Sequence, residues 1–185
     1  MEDIEKLLSD YFPEFELIED RELRRKTAAV WKRAMEMGGL QTREDLDRLP
    51  FTLLLDTGAN FMQKTRGMVK LAVAAAKILK ETYGDLLPLS MDYMIAGAIL
   101  LDVGKLVEIV PDGRGGWRKS REAQVVRHPV LGAMLCWEQG IPIEICNMVA
   151  FHSSEGEKHP RTPESWVMHH IDFVMFDPFK WKLNK

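Results

Sequence analysis

Apolar residues recur along this chain at intervals of three and four, and hardly ever in strict alternation, so the pattern predicts helices almost throughout. Residues 4–18 mix charges with Leu7, Leu8, Tyr11, Phe12, Phe15 and Leu17 and are broken by Pro13. That predicts a short helix followed by an extended piece. Asp20 is placed to cap an amphipathic helix whose apolar stripe is Leu23, Thr27, Val30, Trp31, Ala34 and Met37, with Gly38-Gly39 as its stop. Thr42 and Asp45 fit a capping box for a short helix ending near Leu49. The clearest helix spans 60–83, with Met68, Leu71, Ala72, Ala75, Ala76 and Leu79 on one face and Gly84 at its end. Ser90 starts the next, which runs to about Val103 and is apolar nearly all round, as a central buried helix should be. Val107 to Val110 and Trp117 to Lys119 flank a Pro-Asp-Gly-Arg-Gly-Gly turn and read as a small hairpin. Three more helices follow: one from Pro129 to Gly140, one from Pro142 to near His152, and a last from Thr162-Pro163 through Phe173. The expected fold is an all-α helical bundle with one small β-hairpin. Residues 1–50 form a helical extension packed on a main domain of residues 51–185.

Composition narrows the functional classes. Of 185 residues, 46% are hydrophobic and 29% charged, which supplies a sizeable core and argues against disorder. The net charge of −3 excludes a global basic footprint for nucleic acid. The 21–33 helix carries Arg21, Arg24, Arg25, Lys26, Lys32 and Arg33, but Glu19, Asp20 and Glu22 offset them, and the run reads as a solvated face. Glycines 113, 115 and 116 lack the Gly-Lys-Ser/Thr ending of a phosphate loop and read as a turn. Cys136 and Cys146, in apolar surroundings, read as buried free thiols. No apolar run reaches the roughly 18 residues that span a bilayer, and the acidic Met1-Glu2-Asp3 start is unlike a signal peptide. The expectation is a cytoplasmic protein with no membrane partner.

The candidate chemistry lies where polar side chains interrupt apolar helices. Asp102 follows Ala98-Ile99-Leu100-Leu101. An ionised, unpaired carboxylate there would cost several kcal/mol, so it requires a metal, a cation or backbone donors. His128 opens one helix and His152 closes another, while Asp172 sits within the last helix with His169 one turn earlier. Imidazoles and carboxylates at facing positions are how helical bundles build metal centres. The same four residues could instead be caps and dipole partners, each for its own helix.

The stretch Leu100-Leu101-Asp102-Val103-Gly104-Lys105 resembles the central signature of the HD superfamily of metal-dependent phosphohydrolases. His128-Pro129 with Gly132, then Ala150-Phe151-His152 before a loop holding Glu155, then His169-His170-Ile171-Asp172 resemble its later motifs in order. The likeness covers about residues 50–178. It implies a divalent metal (Mn, Fe, Zn or Mg) held by Asp102, His128, His152 and Asp172, and hydrolysis of a phosphorylated small molecule or nucleotide. It further implies that Lys105 acts beside Asp102 at the reacting centre as a phosphate-facing cation. Lys64, Arg66, Lys119, Arg121 and Arg127 are the candidate contacts to substrate charge.

Two departures define the alternatives. Leu101 stands where the family's paired histidine belongs, and Lys64 where its first histidine belongs. Leucine cannot ligate, and an ammonium has three donors and no lone pair. Either Asp102, His128 and His152, with or without Asp172, hold a metal at a second position, or Lys64 replaces the lost cation by pairing with Asp102 or Asp172. The first outcome is a hydrolase with a depleted metal site. The second is a non-catalytic module that binds an anionic small molecule or a protein partner. The oxygenase variant of the family needs both irons and is disfavoured. The aromatic tail after Phe173 is expected to pack either on the core or on a second copy of the chain.

Overall fold

A computed structural model describes residues 3–183, the side chains of Glu155 and Leu183 excepted. Helix α1 (Ile4–Tyr11) is followed by a 3₁₀ segment, Pro13–Leu17, where an extended piece was expected. Proline is tolerated in a first helical turn, where its missing N–H would have no partner, and this turn drives Phe15 fully into the core. Helix α2 (Arg21–Gly38) begins on the Asp20 carboxylate, which accepts from the backbone N–H groups of Glu22 and Leu23. It ends on Gly39 at φ 71°, a left-handed position. Its stripe is as the spacing predicts except at one end: Met37 is 43% exposed and Met35 is buried instead. Helix α3 (Arg43–Arg48) carries the Thr42–Asp45 capping box. Helix α4 (Phe61–Tyr83) opens on a second box, Asn60 with Gln63.

Helix α5 (Met91–Leu100) is the centre of the molecule. Every residue from Met94 to Leu100 is buried, and α2, α4, α8 and α9 all pack on it. After it the chain turns through Leu101–Gly104 into α6 (Lys105–Glu108), so Val107 is helical where a strand was expected. The hairpin is β1 (Ile109–Pro111) against β2 (Trp117–Lys119), antiparallel, with Ile109 opposite Lys119. Helices α7 (His128–Glu138), α8 (Ile143–Phe151) and α9 (Pro163–Leu183) complete the bundle. The fold is all-α with one small hairpin.

The extension and the remainder share one continuous core. Phe12 meets Trp31 edge-on at 5.8 Å between centroids, and Trp31 meets Phe61 of α4 at 6.0 Å. The Trp31 indole donates to the Ile99 carbonyl of α5 at 3.1 Å, which satisfies the one polar atom that its burial strands. At the other end, α9 runs past Pro178 and lays Phe176 and Phe179 edge-on against Phe51, at 5.5 and 5.8 Å. That part of the aromatic tail therefore packs on the body of the chain. Among the described residues, no helix is long and apolar enough to cross a membrane.

A candidate metal centre

Asp102 sits in the turn that ends α5, and three other elements converge on it. His128 opens α7, His152 ends α8, and Lys64 lies one turn into α4. Asp102, His128 and His152 are all buried, and their ligand atoms lie within 4.8 Å of one another, which makes the trio able to hold a metal ion. His128 Nε2 is 3.3 Å and His152 Nε2 is 3.6 Å from Asp102 Oδ1. Neither contact is a hydrogen bond, and Oδ1 is buried with no hydrogen-bond partner.

The histidines are oriented from behind. His128 Nδ1 donates to Glu108 Oε2 at 2.8 Å, and the same oxygen accepts from the His128 backbone N–H at 2.8 Å. His152 Nδ1 donates to the Val149 carbonyl at 2.8 Å. With Nδ1 donating in this way, the Nε2 of each ring, in its neutral form, carries a lone pair. In that form two lone pairs and a carboxylate oxygen meet with no donor between them. The electrostatics favour a cation there, and two imidazoles with one carboxylate suit zinc, iron or manganese.

The other carboxylate oxygen of Asp102 is fully engaged. Oδ2 accepts from Lys64 Nζ and, at 3.1 Å, from Lys105 Nζ. Lys64 also donates to Asp172 Oδ1, so one ammonium bridges two carboxylates. Burial alone would lower the Lys64 pKa, but Asp102 and Asp172 reverse this and hold it above the ordinary lysine value. Burial likewise works against an ionised Asp102, yet Lys105 and Lys64 keep its pKa well below the usual carboxylate range. Burial and the neighbouring Lys64 charge depress Lys105 against the pull of the carboxylates. Glu108 is also held low: burial opposes ionisation and the bonds from His128 outweigh it.

Two glycines allow the assembly. A Cβ on Gly104 would lie 2.0 Å from the His128 carbonyl oxygen, and one on Gly132 would lie 2.9 Å from Val149 Cγ1 and 3.2 Å from the Gly104 nitrogen. Gly104 has φ −61°, which any residue adopts. It is required for close approach of the turn to α7, not for the turn itself.

A cavity of about 420 Å³ opens onto this cluster, lined by Lys64, Asp102, Lys105, Glu108, Lys119, Arg127, His128, His152 and Asp172, with Phe51, Phe173, Phe176 and Lys180 among its remaining walls. Most sequence-predicted site residues therefore share one pocket. Two do not. Arg66 points the other way and pairs with Glu14, and Arg121, exposed beside the 3₁₀ turn Glu122–Gln124, is not among the lining residues. Asp172 is in the pocket but on the far side of the Lys64 ammonium, outside the three-residue set. His169, expected on Asp172's face, donates from Nδ1 to the His152 carbonyl at 2.6 Å and pins α9 to the end of α8. The residues that sequence reasoning missed are Glu108, Phe51 and Lys180. Glu108 interrupts the apolar run Leu106-Val107…Ile109-Val110 just as Asp102 interrupts its own, and that signal would have found it.

No family model, curated protein or solved structure matches the chain.

Proposed function

We propose that this chain is a metal-dependent phosphohydrolase of HD type reduced to one metal position, held by Asp102, His128 and His152. The observation that carries the reading is Asp102 Oδ1, buried and unpartnered, with two outward-braced imidazole nitrogens facing it. The cavity lining carries three carboxylates, Asp102, Glu108 and Asp172, beside the ammoniums of Lys64, Lys105, Lys119 and Lys180 and the Arg127 guanidinium. A divalent ion would add to this positive charge, polarise a phosphoryl oxygen and acidify water. The chain's own residues would do the rest. Lys105 holds Asp102 from behind and presents its ammonium to the cavity, where it would neutralise phosphate charge. Lys119 and Arg127, which line the same cavity, would meet the remaining anionic groups of a phosphorylated small molecule or nucleotide. Lys64 fills the place between Asp102 and Asp172 and leaves room for a single metal.

One observation favours a second reading. Lys64 satisfies both Asp102 and Asp172 without any ion, which suits a pocket that binds an anion and does not cleave it. Elemental analysis of protein purified without chelators separates the two. About one equivalent of transition metal, lost in His128→Ala, together with manganese-stimulated cleavage of a generic aryl phosphate, is the expected result. Metal-free protein that stays inert with added manganese would leave only the binding module.

A further inference from the structure

The last carbonyls of a helix have no partner within it, and at the end of α8 they flank His152. Three in a row, those of Phe151, His152 and Ser153, accept from side chains further along the chain. Arg161 donates to the Phe151 carbonyl through Nε at 3.0 Å and Nη2 at 2.8 Å, and its Nη2 reaches the Ser153 carbonyl at 3.4 Å. The His152 carbonyl between them takes the bond from His169 described above. The Arg161 guanidinium in turn lies over the Trp166 ring, 4.8 Å from its centroid. Trp166 and His169 both stand on α9. Gly156 lets the intervening loop fold back this closely, since a Cβ there would lie 2.2 Å from the Phe151 carbonyl oxygen.

We propose that Arg161 is the positioning residue of His152: its guanidinium holds the backbone on both sides of the histidine and so aims Nε2 at Asp102 Oδ1. The two imidazoles of the centre differ in how they are braced. His128 is held by Glu108, on another element, at both ring and backbone. The ring of His152 is bonded to Val149 of its own helix. That bond sets the ring against α8 but leaves the end of α8 free to shift relative to Asp102. Arg161, with His169, supplies the anchor from outside the helix. The planar fork matters beyond its charge. A lysine at 161 would still complement the negative end of the helix dipole, but its ammonium lacks the rigid fork that spans two carbonyls. The purpose of this device, though not its geometry, rests on the proposed metal site of Asp102, His128 and His152.

Two measurements on the full chain test this, with Arg161→Ala and Arg161→Lys as the variants. Asp20→Ala, which removes the α2 cap far from the site, controls for lost stability. In cobalt titrations followed by visible absorption, both Arg161 variants are expected to bind about 10–100-fold more weakly than wild type, with shifted bands. Asp20→Ala should keep the wild-type affinity and spectrum. In long-range proton–nitrogen NMR of metal-free protein at about pH 8.5, above the ordinary imidazole range, wild-type His152 should be a single tautomer protonated on Nδ1. The Arg161 variants should show mixed tautomers. Arg161→Lys carries both measurements if Arg161→Ala fails to fold. Arg161 variants with wild-type cobalt affinity overturn the proposal, as does Asp20→Ala weakening the metal equally. Arg161→Lys behaving as wild type overturns the fork. A wild type that takes up no cobalt instead overturns the metal reading, and the tautomer of His152 then decides: unchanged in Arg161→Lys, it overturns the positioning role, and mixed, it upholds it.

Discussion

Lys64 is the residue on which the site turns. Its ammonium is buried and shared between Asp102 and Asp172, so its worth lies less in net attraction than in what its removal would expose. Breaking a buried pair leaves uncompensated charge, typically at a cost of about 3–5 kcal/mol. Lys64→Ala should therefore destabilise the protein by about 3 kcal/mol in urea denaturation at neutral pH. A loss below about 1 kcal/mol would mean that the two carboxylates do not depend on it. The cysteines make the opposite case, of groups that do nothing. Burial pushes the Cys146 thiol up to about 11 and the Cys136 thiol well above its ordinary value. Thiolate is the reactive form. Folded protein should resist a disulfide reagent at mildly alkaline pH and react at both positions only after unfolding. Rapid labelling of the native state would contradict the burial.

At the scale of elements, the contact between the Leu101–Gly104 turn and α7 decides whether the centre forms at all. Gly104→Ala would set a methyl group against a backbone carbonyl of His128, which cannot move without dragging its imidazole. Gly132→Ala meets first a Val149 methyl group, the end of a side chain. Overpacking costs about 1–3 kcal/mol, and Gly104→Ala should sit at the upper end, exceed Gly132→Ala and weaken metal binding by displacing His128. Denaturation and metal titration of both variants check the order. The same contrast explains what could be read from sequence. Helix starts at Asp20, Thr42 and Ser90 were legible because the cap side chain and the backbone N–H that donates to it lie within three residues of each other. Asp102, His128 and His152 were legible because each breaks an apolar run. What escaped depends on distant partners. The 3₁₀ turn at Pro13 forms to bury Phe15. Arg66 lies only two positions from Lys64 in sequence, yet it faces Glu14, which no local pattern reveals. Glu108 reaches His128 across twenty positions.

For the whole molecule, the question is whether residues 1–50 are an appendage or part of one folding unit. The shared core argues for one unit, and the Glu14–Arg66 pair, between the 3₁₀ segment and α4, gives a handle on it. Burial works to raise the Glu14 pKa, but the Arg66 bond and charge prevail and hold it below its ordinary 4.5. A carboxylate that is more acidic folded than unfolded stabilises fully above its unfolded value, and this contribution is lost as pH falls through its folded value. Wild-type stability should therefore drop on acidification below about pH 4.5, and Glu14→Gln should be weaker at neutral pH but show a shallower drop. Other depressed carboxylates, Asp102 and Asp172 among them, are common to both proteins, so the difference between the two curves isolates Glu14. The transition observed is as informative as its pH dependence. If the extension and the bundle are one unit, the variant should lose stability in a single cooperative step seen equally by tryptophan fluorescence and by helical circular dichroism. Two separated transitions, with only the earlier one sensitive to Glu14, would show that the extension unfolds alone.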